Sequence, residues 1–113
     1  MGTRAPIQKP PGIWIIDALG HTTFANERMA QILGTSVDEL MRQDSFAYVY
    51  PEDLDAARRL FDQKQQGNAE AFPFRLRRKD GSPIDTMIQG TPRFDASGAF
   101  QGVVGTFSVV EEG

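Results

Sequence analysis

Residues 70–110 read EAFPFRLRRKDGSPIDTMIQGTPRFDASGAFQGVVGTFSVV. Three runs, Glu70 to Lys79, Ser82 to Phe94 and Phe100 to Val110, alternate apolar and polar side chains with the period of strands buried on one face. Pro73 falls inside the first run, which suits an edge strand that can spare one amide donor. Between the runs stand two turn signals. Asp80-Gly81 is the two-residue hairpin pair, and Asp95-Ala96-Ser97-Gly98 sets an Asp that can bond the turn backbone before a Gly that takes positive φ. The stretch is predicted to be a three-stranded antiparallel meander, and its apolar face needs a covering layer from elsewhere in the chain.

That layer lies upstream. Asp17-Ala18-Leu19-Gly20 repeats the D-x-x-G pattern between Gly12 to Asp17 and His21 to Ala25, which gives a second hairpin. Residues 26–67 carry helical signals instead. Asn26 is a good N-cap for a helix with Met29, Ile32 and Leu33 on one face, and Gly34 ends it. Ser36-Val37-Asp38-Glu39 reads as a capping box in which Ser36 and Glu39 satisfy each other's amides. Pro51 suits the first position of the longest helix, where Leu54, Ala57, Leu60, Phe61 and Lys64 follow helical spacing up to Gly67. The order β-β-α-α-α-β-β-β implies an α+β fold, with an antiparallel sheet carrying its helices on one face.

The chain has 113 residues, 40% hydrophobic and 24% charged, which is room for one core. The absence of cysteine removes disulfides, thiolate ligands and thiolate nucleophiles, and the single histidine, His21, leaves no multi-histidine metal site. A net charge of -3 argues against a nucleic-acid partner. No apolar run reaches the length of a membrane span or a signal-peptide core, so the expectation is a cytoplasmic domain with no membrane contact. Residues 1–11 are proline-rich and read as a flexible lead-in, residues 12–110 as the domain, and residues 111–113 as the start of a linker in a longer polypeptide.

The succession GIWIIDALGHTTFAN, ILGTSVDEL, YPEDLDAARRLF, FRLRRKDGSPI and GAFQGVVGTF resembles a PAS domain from Gly12 to Val110. No single piece is diagnostic; the order and spacing together are specific. The resemblance implies a five-stranded antiparallel sheet in the order 2-1-5-4-3, with a pocket between the sheet and its helices. It also implies a sensory and dimerising module in a bacterial signalling protein. One departure stands out: many members end in Asp-Ile-Thr, and here Val109, Val110 and Glu111 take those places.

Strand alternation places Phe72, Phe74 and Leu76 on one face of the third strand. The matching faces carry Ile84, Thr86, Ile88 and Gly90 on the fourth, and Val103, Gly105, Phe107 and Val109 on the fifth. With Phe61 from the long helix, this helix-facing set defines the candidate ligand pocket: Phe61, Phe72, Phe74, Leu76, Thr86, Ile88, Gly90, Val103, Gly105 and Phe107. Two readings of it stay open. Phe61, Phe72, Phe74, Ile88 and Phe107 fill a core with no ligand, or Gly90 and Gly105 leave room for a small apolar molecule that Thr86 orients.

The resemblance also says what a cofactor would need. Flavin-binding members hold the ring with polar amides and a cysteine, whereas Leu76, Thr86 and Phe107 stand at the matching positions here and cysteine is absent. Haem-binding members use a histidine on the long helix, and residues 52–66 contain none. The expectation is no cofactor. Dicarboxylate sensing is disfavoured as well, because no Arg or Lys is expected on the inner face. Arg75-Leu76-Arg77-Arg78-Lys79 reads as a solvated edge strand, some of whose charges pair with Glu52 or Asp53. No acid–base pair or nucleophile with a base partner can be assembled, so the domain itself is not expected to be an enzyme.

On the first strand Trp14 and Ile16 share one face, and Ile13 and Ile15 the other. Trp14 and Ile16 are assigned, with Met87, Val104 and Thr106, to the outer face of the sheet. A second copy across a two-fold axis would cover this apolar patch, and a homodimer is preferred to the lead-in folding back. The function expected is a sensory input domain, most simply of a sensor histidine kinase, joined to a downstream signalling domain in the same polypeptide. The alternatives are a ligand-free dimerisation module, or the input domain of a diguanylate cyclase or transcription regulator.

Overall fold

The computed structural model describes residues 10–110; the expectations for residues 1–9 of the lead-in and for residues 111–113 lie outside the described residues. Five strands, β1 Gly12–Asp17, β2 Thr22–Ala25, β3 Ala71–Arg77, β4 Pro83–Phe94 and β5 Phe100–Val109, form one sheet in the order β2-β1-β5-β4-β3. Every pairing is antiparallel. Between β2 and β3 run the helices α1 Glu27–Leu33, α2 Val37–Arg42 and α3 Leu54–Gln65, with two single 3-10 turns, Ser45–Tyr48 and Pro51–Asp53, before α3. Pro51 opens the second of these turns rather than α3 itself. Pro73 sits on the edge strand β3, opposite Met87, where its missing donor leaves no central ladder broken.

All three hairpins close in the same way. The Asp17 N–H donates to the His21 carbonyl at 2.9 Å, and the Gly20 N–H to the Asp17 carbonyl at 3.0 Å. Asp95 with Ala99 and Gly98, and Arg78 with Ser82 and Gly81, repeat that pair of bonds. Each loop therefore has three residues, ending in a glycine at φ near +90°. The two-residue hairpin expected at Asp80-Gly81 is thus one residue longer, because the Asp80 carboxylate accepts the Ser82 amide at 2.9 Å and the ladder closes at Arg78 and Ser82.

Apart from Pro51, the capping signals act as read, with one exception. Asn26 Oδ1 accepts the amides of Met29 and Ile13, both at 2.9 Å, and so ties the start of α1 to β1. Ser36 Oγ accepts the Glu39 amide at 3.1 Å. The Glu39 carboxylate does not reach back to complete the box. It takes the Thr35 hydroxyl at 2.8 Å and the Lys79 ammonium at 2.6 Å, since a charged donor is the stronger partner.

Helices α1 and α2 press Met29, Ile32, Leu33 and Leu40 onto the sheet, where Trp14, Leu76, Ile84 and Phe107 meet them. Each large apolar side chain so buried contributes about 1.5–3 kcal/mol. Trp14 is 5% exposed, stacks obliquely on Phe107 with centroids 5.7 Å apart, and donates its indole N–H to Thr22 Oγ1 at 2.8 Å. This corrects the expected outer face. Trp14 pairs with Gly105 and Ile16 with Val103, and directly opposed residues share a face, so Trp14 and Ile16 point toward the helices. Ile13, opposite Thr106, and Ile15, opposite Val104, take the outer side instead.

Candidate functional site

Helix α3 stands off the sheet and leaves a cavity of about 130 Å³ beneath it. Phe72, Phe74 and Leu76 line it from β3, Ile88 and Gly90 from β4, and Val103, Gly105 and Phe107 from β5. Phe61 closes it from α3, beside Ala57 and Leu60, and Trp14 and Ile16 complete the wall from β1. Thr86 is the one expected pocket residue absent from the lining. It is fully buried, and its hydroxyl donates to the Phe74 carbonyl at 2.9 Å, so it braces β3 against β4 and cannot orient a ligand.

The two inward glycines make room for the protein's own side chains. A Cβ on Gly90 would lie 3.0 Å from Lys64 Cε, and one on Gly105 would lie 2.8 Å from Phe107 Cε1. The remaining space is bounded by these glycines together with the aromatic rings.

Lys64 was not expected here. It is the only buried residue of α3, 5% exposed, and lies flat between Gly90 and the Phe72 ring, with Nζ 5.2 Å from the ring centroid. Among the described residues its one acceptor is the Glu70 carbonyl at 3.3 Å. Burial pushes the ammonium below the usual lysine range, and the Glu70 charge partly opposes that shift. The inner face therefore does carry a cation, supplied by the helix and not by a strand. The signal was present in the sequence, because Lys64 continues the apolar spacing of Leu54, Ala57, Leu60 and Phe61.

The other charged and titratable features described in the sequence sit outside the cavity. His21 is exposed in the first turn, 3.6 Å from the Asp17 carboxylate. Arg75 bonds Asp53 Oδ2 at 2.7 Å and lies over the Tyr50 ring at 4.4 Å, while Arg77 donates to the Ala47 carbonyl at 3.1 Å. The basic run thus packs the β3 edge against the turns before α3. Among the described residues no three His, Cys, Asp or Glu side chains gather as metal ligands, and no helix is long and apolar enough to cross a membrane.

The PAS fold family matches residues 8–110. No curated protein matches the chain. Among solved structures, a PAS domain from Colwellia psychrerythraea is 16% identical, covers 88% of this chain and 86% of its own, and superposes with a TM-score of 0.81. A PAS domain from Desulfitobacterium hafniense is 17% identical over 91% and 95% of the two chains, with a TM-score of 0.77. A domain of a sensory box sensor histidine kinase/response regulator from Geobacter sulfurreducens is 18% identical over 86% and 81%, with a TM-score of 0.69.

Proposed function

We propose, from the premise that this chain belongs to the PAS family, that it is the sensory input module of a bacterial signalling protein and holds a small, mainly apolar molecule under α3. The observation that carries this reading is the aromatic-walled cavity of about 130 Å³. A mainly apolar cavity near this size is large enough for a benzene-sized guest. The similarity to a Geobacter domain from a sensor histidine kinase supports the same kind of parent, with the output domain elsewhere in the polypeptide. Haem and flavin have no place in this reading, since the long helix offers no histidine and the chain no cysteine, and the purified domain is expected to be colourless.

Signals would leave through the outer face of the sheet, where Ile13, Ile15, Met87, Val104 and Thr106 form an apolar surface suited to a second copy. Met87 is 41% exposed, and such a face is stabilised when it is covered.

Calorimetry on the wild-type chain and on Ala57→Leu tests the ligand reading. Leucine at Ala57 grows into the cavity from α3. One-to-one binding of a benzene-sized apolar compound by the wild type, abolished in the folded variant, is the expected result. Unchanged binding in the variant would move the site elsewhere.

A further inference from the structure

A lysine ordinarily buries its stem and keeps its ammonium in water. Lys64 does not. It lines the cavity at 5% exposure, and among the described residues its three ammonium protons share one acceptor, the Glu70 carbonyl at 3.3 Å. Among the described residues no carboxylate lies within 4.0 Å of its nitrogen. The Phe72 ring, 5.2 Å away, offers only its face. Buried donors left without acceptors are costly, and the cost is greater for a charged group. The remaining surroundings of the cavity are hydrocarbon apart from Ser45.

These facts narrow the chemistry of the guest. A neutral apolar molecule would leave the ammonium as it is. A dicarboxylate would pair one charge and bury the other against aromatic rings, which is prohibitive. A single carboxylate on an apolar body satisfies both halves of the site. We propose that the cavity binds a small monocarboxylate, with its ring or short chain among Phe72, Val103 and Phe107 and its carboxylate on the Lys64 ammonium. The proposal rests on the reading of the cavity as a ligand site and names its substrate class. The volume admits a body of about six carbon atoms. Gly90 is part of the device, because a Cβ there would come within 3.0 Å of Lys64 Cε and crowd the lysine out of its place.

The test compares benzoate and hexanoate with benzyl alcohol, a neutral molecule of benzoate's size, by calorimetry on the full chain. The wild type is expected to bind the carboxylates roughly 10- to 100-fold more tightly than the alcohol, the range of a charge-assisted hydrogen bond. Lys64→Met, which keeps the length of the side chain, is expected to erase that preference while the alcohol still binds. The ¹³Cε resonance of Lys64 in the wild type gives a second reading that needs no variant, and it should move on benzoate binding. Equal affinity for acid and alcohol in the wild type would overturn the proposal and leave the apolar cavity standing. If neither the carboxylates nor the alcohol bound at millimolar concentration, both the proposal and the reading beneath it would fail.

Discussion

Gly102 sits on β5 at φ +136°, where a Cβ would stand 2.0 Å from the Ile16 carbonyl oxygen. Its backbone therefore faces β1 with no room for a side chain, and Gly102→Ala should destabilise by about 2–5 kcal/mol through strain and overpacking together. Gly98→Ala is the control: nothing lies within 4 Å of its Cβ, so only the cost of positive φ, about 1 kcal/mol, is expected in denaturant unfolding. The sequence marks Gly98 clearly by its D-x-x-G context. Gly102 carries no such mark, because what constrains it is a neighbouring strand rather than a turn. Phe107 was legible from parity alone and is 7% exposed against Trp14. Phe107→Ala should cost about 3–5 kcal/mol, measured as a lower denaturation midpoint; an unchanged midpoint would remove it from the core.

At the scale of elements, the hairpins and caps could be read from local chemistry, since each depends on residues within four positions of one another. The faces of β1 could not. Trp14 and Ile16 on one side and Ile13 and Ile15 on the other are equally apolar, and only the register against Gly105 and Val103 separates them. Lys64 was hidden for a related reason: a charged residue at an apolar helical position ordinarily signals the edge of the buried stripe. The β4–β5 turn adds a pH dependence. The Ser97 hydroxyl, followed by the Ala99 and Ser97 amides, holds the Asp95 carboxyl below its ordinary value of 3.8. A depressed folded-state pKa contributes stability that is present above 3.8 and lost as pH falls through the lower folded value. Asp95→Asn keeps an acceptor without the titration, so its melting temperature should fall less steeply than that of the wild type below pH 3.8.

For the molecule as a whole, the sheet separates two tasks. Its inner face packs α1 and α2 tightly at one end and leaves the cavity under α3 at the other, while its outer face offers the apolar surface of Ile13, Ile15 and Val104. If that surface joins two copies, Val104→Glu should convert dimer to monomer in sedimentation equilibrium with an unchanged circular dichroism spectrum. A wild-type chain that stays monomeric at high micromolar concentration would contradict the dimer. The central claim is that the inner cavity, and not the outer face, receives a ligand. Intermolecular nuclear Overhauser effects from the ring protons of bound benzoate test it most directly. The account predicts contacts to Val103, Phe107 and Phe72, and contacts confined to Ile13, Ile15 and Val104 would contradict it.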